Sequence, residues 1–268
     1  MASIEKEVTK FWWNIYGTCF AGTHFTKKNA LFMSTGNNIP SGSVFTLKKN
    51  ILSKIVDKSL IFKYATLEKL ENFPKIKDAS LTATPPCNSE YSFTNSTAID
   101  VYGKLIDGTN IGKINAELQT MLKKSKTLKI NISEWGIDYI EEGSLELFLQ
   151  KQLAKKDATI LKITDGEHYI ATEGICIKGM SFSYELDKEV VQKIKAIYED
   201  NSAKFIEFGV TINISSETSL TTDFEYKEKF YPFLKFRKIK TDGNIKGMIK
   251  GLETSRVILE DIDIYDEF

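Results

Sequence analysis

The chain has 268 residues, with 36 Lys and Arg against 36 Asp and Glu, and 42% of its residues are hydrophobic. This composition supports a sizeable core and excludes a disordered or fibrous chain. A net charge of zero gives no reason to expect nucleic-acid binding, and only two of the 36 basic residues are arginines. The length predicts one large domain or two small ones.

The three cysteines, Cys19, Cys87 and Cys176, are far apart and form no CxxC pair. Their number and spacing predict neither a disulfide framework nor a zinc site, and they suit a reducing cytoplasm. The N-terminus lacks the basic and then apolar pattern of a secretory signal. No window approaches the roughly 20 apolar residues of a membrane-spanning helix. We therefore expect a chain that is cytoplasmic at rest.

In chain order, the first half of the sequence predicts short helices and strands separated by polar turns. Apolar residues at helical spacing predict a helix around Phe11–Tyr16 and another within 51–70. The stretch from Pro74 to Gly112 is rich in Ser, Thr and Asn, and it predicts loop with weak strands. The strands predicted from alternation in this half are Ser43–Leu47, Tyr91–Phe93, Val101–Leu105 and Thr127–Ser133.

The second half of the sequence predicts long strands and two helices. Ser144 is typical of an N-cap before the apolar helix Leu145–Leu153. The parity of the apolar residues slips at Lys178-Gly179, which predicts a bulge. The other predicted elements are a strand at Thr159–Ile163, a strand at Glu167–Tyr184, a helix at Asp187–Tyr198, and alternating strands within 208–214 and 220–226. Residues 230–239 are aromatic and end in basic residues.

These elements predict an α+β fold, with a twisted antiparallel sheet and several short helices. We expect a single domain over residues 1–241 and a short acidic and apolar C-terminal tail over residues 242–268. The segment Lys227–Lys250 has eight basic and two acidic residues, whereas Leu252–Phe268 has six acidic residues and one Arg. Because the tail is also apolar, we expect it to dock on the basic segment rather than fray.

The sequence offers no recognisable catalytic, cofactor or metal site. It contains no phosphate-binding glycine motif, no HExxH and no EF-hand loop. Cys19 and His24 could form a nucleophile and base, but no motif frames them, and such isolated residues are more often structural. We expect no enzyme activity and no cofactor.

The order of motifs over about residues 40–240 resembles the gasdermin family. The run DGEHYIATEGICIKGMSF at 165–182 looks like the long gasdermin strand that follows an acidic turn. The run FEYKEKFYPFLKFRKI at 224–239 resembles the ending of short microbial gasdermins. The segments 127–132 and 145–153 are similar to a gasdermin strand and its following helix, and 74–103 is similar to the first Ser- and Asn-rich insertion. Short bacterial members often carry a lipidated Cys within their first residues, whereas here Cys19 is the first.

The resemblance implies a gasdermin N-terminal-domain-like fold and a membrane pore-forming protein that is an autoinhibited monomer at rest. Its implied partners are membrane lipids, an activating protease that cuts near the C-terminus, and further copies of the chain, which form a homo-oligomer that kills the cell in antiphage or immune defence. The candidate inserting hairpins are about Ser89–Ile132 and Ala158–Tyr184. No nucleic acid is implied.

The tail and the basic segment supply the candidate functional residues. The candidates for membrane contact are Lys235, Arg237, Lys238 and Lys240. The candidates for tail docking are Val257, Ile258, Leu259 and Ile262. The candidates for the cleavage region are Asp242, Gly243, Asn244, Lys246 and Gly247.

Two alternatives from other classes remain open on the sequence. The chain could be a non-enzymatic α+β binding module that uses an aromatic patch such as Trp12-Trp13. It could also be an enzyme that uses Cys19 and His24. Liposome leakage after limited proteolysis separates the pore-forming protein from both.

Overall fold

A computed structural model describes residues 2–20, 23, 25–34, 37–50, 55–79, 87–92, 111–125, 127–164, 166–242 and 256–263. The helices in these ranges are α1 (Ala2–Cys19), α2 (Tyr64–Leu67), α3 (Ile111–Ile114), α4 (Ala116–Leu122), α5 (Glu142–Ala154), α6 (Ala158–Ile163), α7 (Lys188–Asp200) and α8 (Ser202–Glu207). The strands are β1 (Ala30–Phe32), β2 (Val44–Asn50), β3 (Ile55–Phe62), β4 (Lys77–Ala79), β5 (Cys87–Ser92), β6 (Thr127–Tyr139), β7 (Tyr169–Glu185), β8 (Val210–Ile214), β9 (Ser219–Asp242) and β10 (Arg256–Asp261).

All ten strands belong to one sheet, whose centre is the antiparallel trio β6, β7 and β9. Strand β2 pairs with the start of β7, and β3 pairs with β2. Strands β4 and β5 pair with β6, while β1, β8 and β10 pair with successive parts of β9. The predicted α+β class with a large antiparallel sheet is therefore confirmed.

Strand β7 is buried along almost its whole length because it has neighbours on both edges and packing on both faces. Buried apolar residues therefore stand on both of its faces, as in the consecutive runs 169–171 and 175–177, with polar residues such as Thr172 and Lys178 following them. Its register with β9 shifts between Ile175 and Ile177 and again between Ile177 and Gly179. The bulge that the sequence predicts near Lys178-Gly179 is present.

The helix predicted at Leu145–Leu153 begins earlier, at Glu142 with Glu141 at the N-cap position, so Ser144 is not its N-cap. Two further elements differ from the sequence predictions in type. Residues 158–163 form helix α6 and not a strand, because the Asp157 side chain accepts hydrogen bonds from the backbone N–H groups of Thr159 and Ile160. The candidate inserting hairpin at 158–184 therefore begins with a helix. Residues 55–62 form strand β3 and not a helix, since β-branched residues there pair with β2 at the edge of the sheet.

The helices cover the sheet and build three apolar clusters. The largest lies under α1, α4, α7 and α8 and contains Trp12, Ile132, Phe182 and Phe233. The second lies between α5, α6 and the sheet, and the third surrounds Phe45, Tyr169 and Phe236. No helix in the described part of the chain is both long and apolar enough to cross a bilayer.

Candidate functional site

The C-terminal strand β10 extends the sheet by pairing with the end of β9. Its register runs from Arg256 opposite Asp242 to Asp261 opposite Arg237. Val257 and Leu259 are buried, whereas Ile258, on the other face of the strand, is 38% exposed. The strand thus presents one apolar face to the protein, as a half-buried edge strand does.

Helix α5 holds the opposite edge of β10 through two side chains. The backbone N–H of Val257 donates to Gln150 Oε1 at 2.6 Å, and that of Leu259 donates to Glu146 Oε1 at 2.9 Å. Residues four apart on a helix rise about 6 Å, close to the roughly 6.8 Å between alternate residues of a strand, so the two periods match. The outward N–H groups, which an edge strand leaves unpaired, are here satisfied by side chains.

The buried side chains of the tail join two different clusters. Val257 and Leu259 pack with Ile239 and with the apolar residues of α5 and α6. Ile262, just after β10, packs in the cluster that contains Tyr169 and Phe236. Each such side chain contributes about 1.5–3 kcal/mol at most on burial, so three of them hold the tail firmly.

The acidic side chains of the tail pair with the basic residues of β9. Arg237 lies between two carboxylates, with its Nε 2.7 Å from Glu142 Oε1 of α5 and its guanidinium in contact with Asp261. Lys240 pairs with Glu260. The tail therefore neutralises positive charge on the strand that it covers.

The other two candidates for membrane contact are also engaged within the protein. Lys235 is 7% exposed, and its Nζ lies 2.8 Å from Glu173 Oε1 on β7. The Nζ of Lys238 lies 5.5 Å from the ring centroid of Tyr169. In this state all four cations have partners, and their contact with lipid stays a prediction.

The remaining candidates from the sequence fall at three places. Asp242 is the exposed last residue of β9, and the cleavage candidates Gly243, Asn244, Lys246 and Gly247 lie outside the described residues.

Cys19 ends α1 and is disulfide-bonded, so the expectation that the cysteines form no disulfide is wrong. Sequence spacing misses it because disulfide formation depends on distance in space.

This geometry also bears on the two alternative functions. A disulfide-bonded Cys19 has no free thiolate to act as a nucleophile, and His24 lies outside the described residues. Trp12 is fully buried, and Trp13 packs against Tyr16 and Phe233. The aromatic pair therefore belongs to the packing of α1 on the sheet and does not form an exposed binding patch.

A second polar cluster, which we call the Asp138 network, lies inside the sheet where β4, β6, β7 and β9 meet. Asp138 is 2% exposed and accepts from Lys229 Nζ at 2.7 Å and from Tyr231 Oη at 2.6 Å. Lys229 also donates to Asp78 Oδ2 at 3.0 Å, and Cys176 Sγ lies 3.7 Å from Asp138 Oδ1. The buried carboxylate is thus paired and hydrogen-bonded, as burial of a charge requires.

The pKa values in the Asp138 network follow from burial and from the carboxylates. Burial raises the pKa of the Cys176 thiol to about 12, and the negative charge of Asp138 adds to the rise. Burial and the hydrogen bond to Asp138 raise the pKa of Tyr231. Burial lowers the pKa of Lys229, but hydrogen bonds to Asp138 and Asp78 outweigh it and leave the pKa raised. Cys176 and Tyr231 are consequently neutral at physiological pH and Lys229 is charged.

Sequence reasoning missed several residues of these two clusters. Glu142, Glu146 and Gln150 lie four apart on α5 and could have indicated a polar row along the helix. For the Asp138 network no sequence signal exists, since Asp78, Asp138 and Lys229 come together only through strand pairing.

No family model matches this sequence, and no curated protein matches it. Among solved structures, the fold is similar to that of a bacterial gasdermin from Bradyrhizobium tropiciagri, with a TM-score of 0.47 and 11% identity over 88% of this chain and 87% of that chain. This is the family that the sequence motifs resemble. The α+β class with a large antiparallel sheet follows from the strand pairing of this chain itself.

Proposed function

We propose that this chain is a pore-forming protein of the gasdermin type, held inactive by its C-terminal strand until a protease cuts between β9 and β10. The proposal includes a monomeric cytoplasmic resting state, assembly into a homo-oligomer in the membrane, and a role in defensive cell death. Its starting point is the resemblance of residues 165–182 and 224–239 to gasdermin motifs.

One observation carries the proposal: the tail covers the cations that a membrane surface would attract. Asp261 and Glu260 pair with Arg237 and Lys240, which lie on the central strand β9. A lysine or arginine near an anionic bilayer contributes about 1 kcal/mol of attraction. Loss of β10 would free Lys240 from Glu260, remove one of the two carboxylates that pair with Arg237, and open one edge of β9 at the same time.

The contacts that hold β10 would allow a single cut of the chain to release it. Apart from the chain connection over residues 243–255, β10 is held by strand pairing, by buried apolar side chains and by the side chains of α5. A tethered segment has a high effective concentration, which a cut removes. The tail would then dissociate at low protein concentration.

Dye leakage from liposomes that contain anionic lipid tests the proposal. We expect a chain truncated after Asp242 to release dye, whereas the full chain does not. Because truncation could unfold the protein, circular dichroism and thermal melting must accompany the assay. A truncated chain that is folded, monomeric and harmless to liposomes would contradict the pore-forming function.

Point variants of the full chain provide a matched comparison within β10. Val257→Asp and Leu259→Asp place a charge where the side chains are 2% and 8% exposed, so they should loosen the strand and cause leakage. Ile258→Asp changes the neighbouring residue, which is 38% exposed, and should leave the full chain inactive. Equal leakage from all three variants would contradict a specific role for docking of the buried face.

A further inference from the structure

A cleft of about 450 Å³ lies between helix α5 and the loop that precedes β4. Its walls carry Lys75 of the loop and Lys77, the first residue of β4, on one side, and Lys151 and Lys155 at the end of α5 on the other. Its volume falls within the range of ligand pockets in proteins, which is about 300–1,000 Å³. The cleft uses a different side of α5 from Glu142, Glu146 and Gln150, so it is separate from the tail contacts.

The electrostatics of this cleft favour an anion. Among the residues that the structure describes, four lysines line the cleft, together with one carboxylate, that of Glu141. Lys151 and Lys155 are one helical turn apart and face the cleft together. Lysine side chains are long and rotatable, so lysines on two opposed walls can bring several ammonium groups to the oxygens of one ligand.

The contacts of Glu141 show that two donors of the cleft already hold an anionic oxygen. Its Oε2 lies 2.8 Å from Lys77 Nζ and accepts from Ser144 Oγ at 3.2 Å. The hydrogen bond and charge of Lys77, with that of Ser144, lower the pKa of this carboxyl group. An anionic oxygen of the chain itself therefore occupies two donors of the cleft, while the Glu141 side chain remains 56% exposed and can turn away.

The other lysines are available to a ligand. Lys75 pairs with Glu68 and Lys155 with Glu71 at 3.9 Å, but these pairs are exposed and neither glutamate lines the cleft. Exposed pairs of this kind contribute little, about 0–1 kcal/mol. In the described part of the chain, Lys151 forms no ion pair. A multiply charged anionic ligand would compete with these glutamates for the four lysines of the cleft.

We propose that this cleft is a binding site for a phosphate-bearing ligand, held by Lys75, Lys77, Lys151 and Lys155 with Ser144 as a hydroxyl donor. Lysine is a common phosphate ligand in proteins because its ammonium group donates three hydrogen bonds from a full positive charge. Leu147, which lines the same cleft and is 55% exposed, provides an apolar contact beside the charged group. The phosphate could come from a soluble molecule or from a lipid headgroup.

Calorimetric titration of the full chain with inorganic pyrophosphate at fixed ionic strength tests the site. We expect saturable binding that weakens by about tenfold or more in Lys75→Gln/Lys151→Gln, because two charge-assisted contacts are lost. The control is Lys193→Gln/Lys195→Gln, which makes the same charge change on exposed positions of α7. Equal weakening in both double variants would overturn the site in favour of a nonspecific charge effect.

Flotation with vesicles of phosphatidylglycerol, and of phosphatidylcholine as the neutral control, distinguishes the two sources of phosphate. Binding of pyrophosphate alone assigns the site to a soluble ligand. Binding to anionic vesicles that is lost in Lys75→Gln/Lys151→Gln and kept in the α7 control assigns it to a headgroup. No binding in either assay overturns the proposal. Since the full chain is used and leakage is not measured, failure here is independent of the pore-forming function.

Discussion

At the scale of single residues, the Asp138 network places a buried carboxylate inside the sheet, where it requires charged and hydrogen-bonding partners. Its carboxylate is 3% exposed at the side chain and Lys229 is 24% exposed. Buried charges of this kind are stable only when every partner is in place, because each lost partner leaves the full desolvation cost of the other. The network links β4, β6 and β9, and removal of one charged partner is expected to cost stability because the other charge stays buried.

The first prediction concerns the coupling of Asp138 with Lys229. Lys229→Met should lower the free energy of unfolding by about 3 kcal/mol, since the buried carboxylate loses its counter-charge. The double variant Asp138→Asn/Lys229→Met should lose clearly less than the sum of the two single variants. Urea unfolding of all four proteins measures this, and additive losses would show that the two side chains are not coupled.

The second prediction concerns alkaline pH. The pKa of Cys176 is raised from its ordinary value of 9.0 to about 12, so above pH 9 the unfolded chain releases a proton that the folded chain keeps. The contribution of the Cys176 thiol to the free energy of unfolding is fully present below pH 9 and is lost as the pH rises toward 12. The raised pKa values of Tyr231 and Lys229 also lower the free energy of unfolding as the pH rises above about 10.

Urea unfolding between about pH 8 and 11 measures this dependence. Cys176→Ala should be less stable at neutral pH but should lose stability less steeply with pH. The comparison uses the slope and not the absolute stability, because the alanine also leaves a small cavity. Identical slopes would contradict the assigned shift.

At the scale of secondary-structure elements, β10 is notable because it is held on both edges by different means. Strand β9 supplies backbone pairing on one side, and α5 supplies side-chain acceptors on the other. Helix α5 therefore hydrogen-bonds the outer edge of β10 and prevents a further strand from pairing with that edge. This arrangement is a β-strand addition made within one chain.

The third prediction tests the contribution of α5. Glu146→Ala/Gln150→Ala should leave two backbone N–H groups of β10 unsatisfied, which costs about 1–3 kcal/mol each where they are buried. Hydrogen exchange of the Val257 and Leu259 amides should accelerate, while the β7 amides remain protected. Gln192→Ala on α7, an exposed glutamine, is the control. Unchanged exchange would mean that β9 alone holds the strand.

At the scale of the whole molecule, the net charge of zero includes a basic segment and an acidic segment that lie against each other. The basic end of β9 and the acidic tail pair through Arg237, Lys240, Glu260 and Asp261. The Lys240 and Glu260 side chains are 44% and 43% exposed, so salt screens their attraction and their pairing contributes about 0.2–1 kcal/mol.

The fourth prediction follows from this pairing. Lys240→Glu should weaken tail docking, since it places two negative charges side by side, and Lys240→Glu/Glu260→Lys should restore it. Limited proteolysis of the full chain, as a measure of tail opening, should show a difference between these variants at low salt that shrinks at high salt. Equal susceptibility of the single variant and the double variant would mean that this pair does not hold the tail.

The sequence by itself determined the α+β class, most of the strands and the opposed charge of the tail. These features are local: alternation identifies Thr127–Ser133 and Glu167–Tyr184 as strands, and the slip at Lys178-Gly179 identifies the bulge. The strand predicted at Thr159–Ile163 was wrong although its signal was also local, because Asp157 is a good N-cap and Ile160 and Ile163 share a helical face.

Only the tertiary structure decided which polar groups meet. It paired Arg237 and Lys240 with carboxylates of the tail and of α5, and it placed Lys235 in the interior beside Glu173. It also joined Asp78, Asp138 and Lys229 across strands that are far apart in sequence. The physical reason is that a charge pattern gives the sign of an attraction but not its geometry, which long-range strand register sets.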